Sequence, residues 1–315
     1  MQNIKDIKTF VTNNPSEIKE IINRENYQVI IVCSYYDFLK TLRQLGYRGK
    51  IIYELQGAGV NVEKFLEPGV QTVKTYADAI LIPQTTHLIQ VIQKFLPDKK
   101  VFSFHNCFDF RTFKYQEVET PPRPIIGWVG RLEQNKNWRD FIKISSLLKN
   151  HIPNLDIWMF EDASLAQKSE RRQFQNLIQK LGISSSLTIR SNIPHEQMPF
   201  YYSSIGKSGG FLLSTSKSEG FGYAVVEAMS CRCPVLTTDS DGVKAFVIDN
   251  KTGKFFNHSH INQAVSKGLE LILIKEQREQ IIQNAWQQIN TICDPIQYFN
   301  NFEQMLLSIT DKTAG

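Results

Sequence analysis

The sequence predicts an α/β protein made of two domains, each a parallel sheet covered by helices. Three observations carry this: short apolar runs alternate with stretches of helical periodicity, a proline-rich break interrupts the pattern before midway, and the length suits two cores. At 315 residues the chain exceeds the ~100 to 200 residues of an ordinary domain. Apolar runs of four to six residues alternating with helices of ten or more cannot pair as hairpins, so they point to crossover connections and parallel strands.

The first 27 residues are expected to form two short helices, Ile4 to Val11 and Ser16 to Asn23, the second started by Pro15 and Ser16. Strands then recur at Gln28 to Cys33, Ile51 to Leu55, Ala79 to Pro83 and Val101 to Phe104, separated by helical segments such as Tyr36 to Leu45 and His87 to Phe95. The stretch Glu117 to Pro124 (EVETPPRP) breaks the alternation, and a new strand opens at Ile125 to Val129. Helices at Asp140 to Leu148, Glu170 to Leu181 and Tyr223 to Ser230 then alternate with strands at Leu155 to Phe160, Leu187 to Arg190, Gly209 to Ser214 and Val235 to Thr238, before the terminal helices. The expected division is residues 1–121 as an N-terminal domain and 122–294 as a C-terminal one, with the last helix, 295–315, rejoining the first.

Hydrophobic residues at 42% and charged residues at 21% exclude wholesale disorder. Thirty-six basic and 31 acidic residues leave +5, spread along the chain, so nucleic acid is not implied as a partner. Cys33, Cys107, Cys231, Cys233 and Cys293 are odd in number and lack metal-ligand spacing, which suits a reducing cytoplasm. No apolar stretch approaches the ~18 to 20 residues that span a bilayer, so any membrane contact is expected to be peripheral, at the inner face.

Two clusters carry chemistry. In Ser218-Glu219-Gly220-Phe221-Gly222-Tyr223 and on to Glu227, glycines let the backbone turn and approach a ligand, and the helix that follows aims free N–H groups and its positive dipole end at the turn. A diphosphate fits that end. Glu219 lies before the helix and Glu227 about one turn inside it, and ionised carboxylates accept strongly from sugar and ribose hydroxyls. Solvated helix-end charge is the bland alternative for both. The second cluster is Gly127-Trp128-Val129-Gly130-Arg131-Leu132 with Lys136-Asn137, where a strand ends in glycine and two cations follow on the loop. Strand carboxyl ends are where ligands bind in such sheets, and Arg131 and Lys136 suit a diphosphate that gains charge as its bond to a sugar breaks, solvent-exposed charge being the bland alternative for each alone.

These clusters, with Glu227-Ala228-Met229-Ser230 running into Pro234-Val235-Leu236 and with Asn250 to Phe255 (NKTGKF), resemble the retaining glycosyltransferases of family four. The resemblance spans Ile125 to Phe256 and is weaker over Tyr27 to Asp109. It implies the GT-B fold: two Rossmann-like domains facing across a cleft, the N-terminal one shortened here. It implies that Arg131, Lys136 and Glu219 are catalytic, that Gly130, Ile193, Phe221, Gly222, Tyr223 and Glu227 bind the donor, and that Gln56 and Gly57 lie on the acceptor side. In this reading Arg131 and Lys136 hold the diphosphate, Glu219 and the backbone N–H groups of Phe221, Gly222 and Tyr223 meet the sugar, Glu227 binds the ribose, and Asn192-Ile193-Pro194 holds the base. The implied donor is a UDP-sugar, UDP-glucose the best guess. The implied acceptor is a carbohydrate or a lipid-linked molecule in cytoplasmic synthesis of surface polysaccharide or glycolipid. Neither a metal nor a cofactor is expected.

Four departures stand out from the family pattern. Nothing in Met1 to Tyr27 resembles the usual glycine-rich first loop, Gln56 occupies the place of a histidine, Arg232 that of a turn glycine, and Ala245 that of an acidic residue. Gly206-Lys207-Ser208 imitates the end of a P-loop, but Tyr201 stands where its first glycine belongs. Asp239-Ser240-Asp241 reads as turn capping, and His258 and His260 as surface residues. A nucleotide-sugar binding protein without transfer activity, and a GT-B phosphorylase or epimerase, remain alternatives.

Overall fold

The computed structural model describes residues 7–56 and 62–310. The first sheet contains β1 (Val29–Cys33), β2 (Lys50–Glu54), β3 (Ala79–Ile82) and β4 (Lys100–Ser103), all parallel and in chain order. Its helices are α1 (Pro15–Glu25), α2 (Asp37–Gln44), α3 (Val62–Leu66), α4 (Val70–Tyr76) and α5 (Thr86–Phe95). Because strand side chains alternate, Ile51, Tyr53, Ile80 and Ile82 face those helices, while Ile52 and Leu81 face the other way. That second face is covered by α12 (Pro295–Thr310), through Tyr298, Phe302, Met305, Leu306 and Ile309.

The second sheet has six parallel strands: β5 (Ile125–Val129), β6 (Asp156–Glu161), β7 (Leu187–Ser191), β8 (Phe211–Ser214), β9 (Val235–Thr238) and β10 (Lys254–Phe256). Their spatial order is β10-β9-β8-β5-β6-β7. Helices α6 (Trp138–His151), α7 (Lys168–Lys180) and α10 (Ile261–Leu273) pack on one face, where Ile126, Trp128, Ile157, Phe211 and Leu236 are buried. Helices α8 (Met198–Lys207), α9 (Tyr223–Ser230) and α11 (Lys275–Ile292) cover the other face, over Ile125, Phe160, Leu212 and Val235.

The expected helix over Ile4 to Val11 is not formed in its described part, residues 7–11. Helix formation starts later, because Asn14 caps α1 by accepting from the Ser16 amide and Pro15 fills the first turn without wasting a donor. The segment before it lies along α1, with the Arg24 guanidinium 5.3 Å from the Phe10 ring and Lys8 paired with Glu25. The sequence reading also lacks α8, a buried helix of weak propensity (MPFYYSSIGK) that burial of Met198, Tyr202 and Ile205 stabilises. Gly206-Lys207-Ser208 accordingly sits at the end of a helix and not in a phosphate loop. A Cβ at Gly206 would lie 2.4 Å from the Arg232 carbonyl oxygen, so this glycine serves close packing.

Arg232 has φ +58, the left-handed conformation that a glycine adopts without strain, and its guanidinium lies 4.7 Å from the Tyr115 ring. Asp241 does cap, but across the molecule: its Oδ2 accepts the His87 amide at 2.8 Å, at the start of α5. A carboxylate there meets the positive end of the helix dipole, so a turn of the second half is tied to a helix of the first. Lys254, fully buried, pairs with Glu270 at 2.6 Å and Asn250 at 2.7 Å and so anchors β10.

Candidate active site

The order in which strands are added to the six-stranded sheet reverses between β5 and β8. These two strands pair directly, Ile126 with Phe211 and Gly127 with Leu212, while β6 and β7 extend to one side and β9 and β10 to the other. Connections leaving such a pair diverge to opposite faces and open a crevice at the carboxyl ends. Both sequence clusters occupy that crevice, one after each strand.

Their loops are bound to each other. The Lys217 amide donates to the Asn135 carbonyl at 2.8 Å, and Asn135 Nδ2 donates to the Ser218 carbonyl at 3.1 Å. Thr215, fully buried, accepts from the Trp128 indole at 3.1 Å, with its hydroxyl 3.0 Å from the Lys136 and Asn137 carbonyl oxygens. Lys136 Nζ thereby reaches Glu219 Oε1 at 2.6 Å. Gly222 caps α9 with φ +82, and a Cβ there would lie 2.5 Å from Val243 Cγ1. A Cβ at Gly242 would lie 2.2 Å from the Glu219 carbonyl oxygen, so the turn after β9 braces the glutamate loop from behind. Gly130 is equally confined, its missing Cβ 2.9 Å from Trp128 and 3.2 Å from Lys136 Cγ.

Beside these loops lies a cleft of about 360 Å³, lined by Gly130, Arg131, Lys136, Ile193, His195 and Glu227 among others. Arg131 extends half-exposed toward solvent, 3.1 Å from Glu133. Glu227 is 6% exposed, so the solvated-charge alternative does not describe it. Tyr202 OH donates to its Oε2 at 2.8 Å, and His195 Nε2 lies 2.9 Å from its Oε1. The hydrogen bond to Glu227 raises the pKa of His195, and burial pushes that of Tyr202 well above the usual phenol range.

Phe221 is buried, its ring packed on Tyr223 at 4.7 Å and on Phe246 at 5.5 Å, which leaves its backbone as the part able to face a ligand. Tyr223 is half-exposed on the side of the first sheet. Gln56 lies two residues past β2 with both halves of its amide engaged, Nε2 to Glu54 at 2.5 Å and Oε1 accepting from Asn106 at 2.7 Å. Burial raises the pKa of Tyr223 and Asn106, near its hydroxyl, works against that rise, so Gln56 is two steps from the start of α9. Gly57 lies outside the described residues. The sequence reading named neither His195 nor Tyr202, which come from a 3₁₀ turn and from α8, the unforeseen helix. His195, directly after the expected base segment, was the one available signal.

A family model described as "Glycosyl transferases group 1" matches residues 109–288, more than half the chain. The chain belongs to this family. The group 1 glycosyltransferases it resembles include the trehalose synthase of Thermococcus litoralis, 27% identical over 218 residues that cover 64% of this chain and 52% of that protein. They also include the D-inositol 3-phosphate glycosyltransferase of Paenarthrobacter aurescens, 25% identical over 43% of this chain and 32% of that one. The chain therefore spans about half the length of the first of these relatives, and less of the second. Among solved structures, the sucrose-phosphate synthase of Thermosynechococcus elongatus superposes with TM-score 0.77 at 18% identity, over 93% of this chain and 77% of that one. Anabaena HepE, in complex with UDP-glucose, superposes with TM-score 0.79 at 15% identity, over 93% and 82%. The two-sheet architecture is the GT-B fold. Among the described residues, no helix is long and apolar enough to cross a membrane.

Proposed function

We propose that this glycosyltransferase retains anomeric configuration and transfers a hexose from a UDP-sugar, UDP-glucose foremost, to a carbohydrate or lipid-linked acceptor. The observation that carries the reading is the convergence of Lys136, Glu219 and the Gly222 helix start at the strand reversal, beside a cleft that also presents Arg131 and Glu227. In this arrangement the diphosphate lies across Arg131, Lys136 and the N–H groups of Gly222 and Tyr223. The sugar then meets Glu219, the ribose Glu227, and the base the Asn192-Ile193 backbone. The UDP-glucose bound in the HepE structure supports a nucleotide-sugar donor.

The chemistry asks for electrostatic help and positioning more than for a side-chain nucleophile. As the bond from sugar to diphosphate breaks, negative charge builds on the leaving group where two cations and a helix end are already oriented, and an oxocarbenium-like sugar forms. Attack on the same face, with a departing phosphate oxygen taking the acceptor's proton, retains configuration. Until donor arrives, Lys136 and Glu219 neutralise each other, so the ligand exchanges one ion pair for two contacts of opposite kind. Synthesis of surface polysaccharide or glycolipid at the inner membrane face is the role this reading favours.

A panel of nucleotide sugars, read by released nucleoside diphosphate, tests the proposal. Turnover with one or more UDP-sugars is expected, and absence of release with every donor in the presence of varied acceptors would favour the binding-only alternative. The engagement of both ends of the Gln56 amide is the observation that keeps that alternative in view.

A further inference from the structure

Glu227 is held by two groups of different kinds. Tyr202, fully buried and kept protonated, offers Oε2 a permanent donor, whereas His195 approaches Oε1 from the open side of the cleft with 70% of its side chain exposed. The imidazole is fixed from behind by Phe113, whose ring centre is 4.6 Å away. Phe113 belongs to the segment joining the two sheets, and its carbonyl accepts from the Ser230 hydroxyl at the end of α9. His195 therefore touches both the connecting segment and the glutamate expected to hold the ribose.

We propose that His195 is a positioning residue of the donor site, fixing Glu227 for the ribose diol and coupling nucleotide-sugar binding to uptake of one proton. The inference rests on the donor-site reading above. An ionised carboxylate has about four acceptor positions, and Tyr202 and His195 occupy one on each oxygen, leaving the others for two ribose hydroxyls in a set direction. Protonated, His195 donates a charge-assisted bond to Glu227 and adds a cation to a cleft that already presents Arg131, Lys136 and Arg190. The acidic groups nearby are Glu227 and Glu196, which both raise its pKa, and across the cleft Asp162 and Glu161, the latter committed to Arg171 at 2.7 Å. Cys231 senses Glu227, but burial pushes that thiol up to about 12, so it stays neutral.

The sign follows from linkage. A nucleotide sugar brings two phosphate charges into the cleft, which favours the imidazolium further, so binding takes up a proton and affinity rises as pH falls through the titration of His195. UDP-glucose is the suitable probe, because its doubly esterified pyrophosphate has no group titrating near neutrality. Calorimetric binding of UDP-glucose to the wild type is expected to strengthen about three- to tenfold from about pH 8 to about pH 6, within the tenfold that one unit of pKa displacement allows. His195→Gln keeps an N–H for Glu227 but no charge, and its binding is expected to lose the pH slope. His195→Ala, which also lacks the titrating group, is expected to lose the slope as well and to bind about tenfold more weakly than the wild type at about pH 6 and by a smaller factor at about pH 8, with thermal unfolding unchanged.

An unaltered slope in His195→Gln, a flat wild type, or wild-type affinity in His195→Ala each overturns the inference while leaving the donor site standing. Failure of the wild type to bind UDP-glucose at any pH removes the donor-site reading and this inference with it.

Discussion

The two sheets differ in how they wind. In the first, β1 to β4 follow one another in spatial order, so successive crossovers carry their helices to the same face and the strand ends diverge nowhere. The second reverses between β5 and β8, and at that point the backbone opens, two glycine-containing loops meet, and the acidic and basic groups collect. The coverage differs in the same sense: among the described residues three helices lie on each face of the second sheet, but α12 alone on one face of the first. A crevice is thus a property of topology before it is one of residues, and among the described residues the lining of this one comes from Val129 onward, in the second half of the chain.

If that contrast governs function, the largest losses come from the charged groups at the reversal. Arg131→Ala and Lys136→Ala are each expected to lower turnover by about 10² to 10³, as the loss of one oriented donor to a developing anion does elsewhere. Steady-state kinetics with a working donor measures it, and a double variant of normal turnover would move the active centre away from the reversal.

Stability should separate from activity in the same half of the molecule. Lys254 has no exposed surface and Glu270 is its charged partner, so Glu270→Ala leaves a buried ammonium with Asn250 alone, at a cost of about 2 to 4 kcal/mol. Denaturant unfolding reads the loss. Activity per folded molecule should stay near wild type, because this pair holds β10 at the sheet edge and does not face the cleft.

Gly222 sits between the two kinds of effect. Its φ of +82 and the 2.5 Å approach of Val243 Cγ1 to any Cβ predict about 1 to 3 kcal/mol lost in Gly222→Ala. The start of α9 should shift as well, so nucleotide binding is expected to weaken beyond what unfolding explains. Equal binding by the folded fraction would show that the helix start does not face the ligand.

The residues that were legible in the sequence are those whose chemistry is local. Gly130 and Lys136 belong to one loop, as do Glu219 and Gly222, and glycine beside charge announces such loops whatever lies around them. The partners of Glu227 were not legible, since Tyr202 and His195 stand 25 and 32 residues away on elements whose placement depends on the whole sheet. The strand alternation was readable from β1 to β9, whereas β10 is only three residues long and opens with Lys254, so no apolar run marks it. The segment 7–11, by contrast, has helix-like spacing, but the Asn14 cap starts the helix after it.

Asp241 tests whether the halves act as one. It was legible as a cap, yet its acceptor role is filled 154 residues away, at the His87 amide that opens α5. A carboxylate at a helix start contributes about 0.5 to 2 kcal/mol, partly through the dipole, and that contribution screens with salt. Asp241→Ala is therefore expected to lower stability by about 1 kcal/mol at low ionic strength and by less in high salt. The loss should appear first as faster amide exchange at the start of α5, with β5 and β8 unaffected. If exchange instead rises in the second sheet, Asp241 mainly supports the turn that braces Glu219.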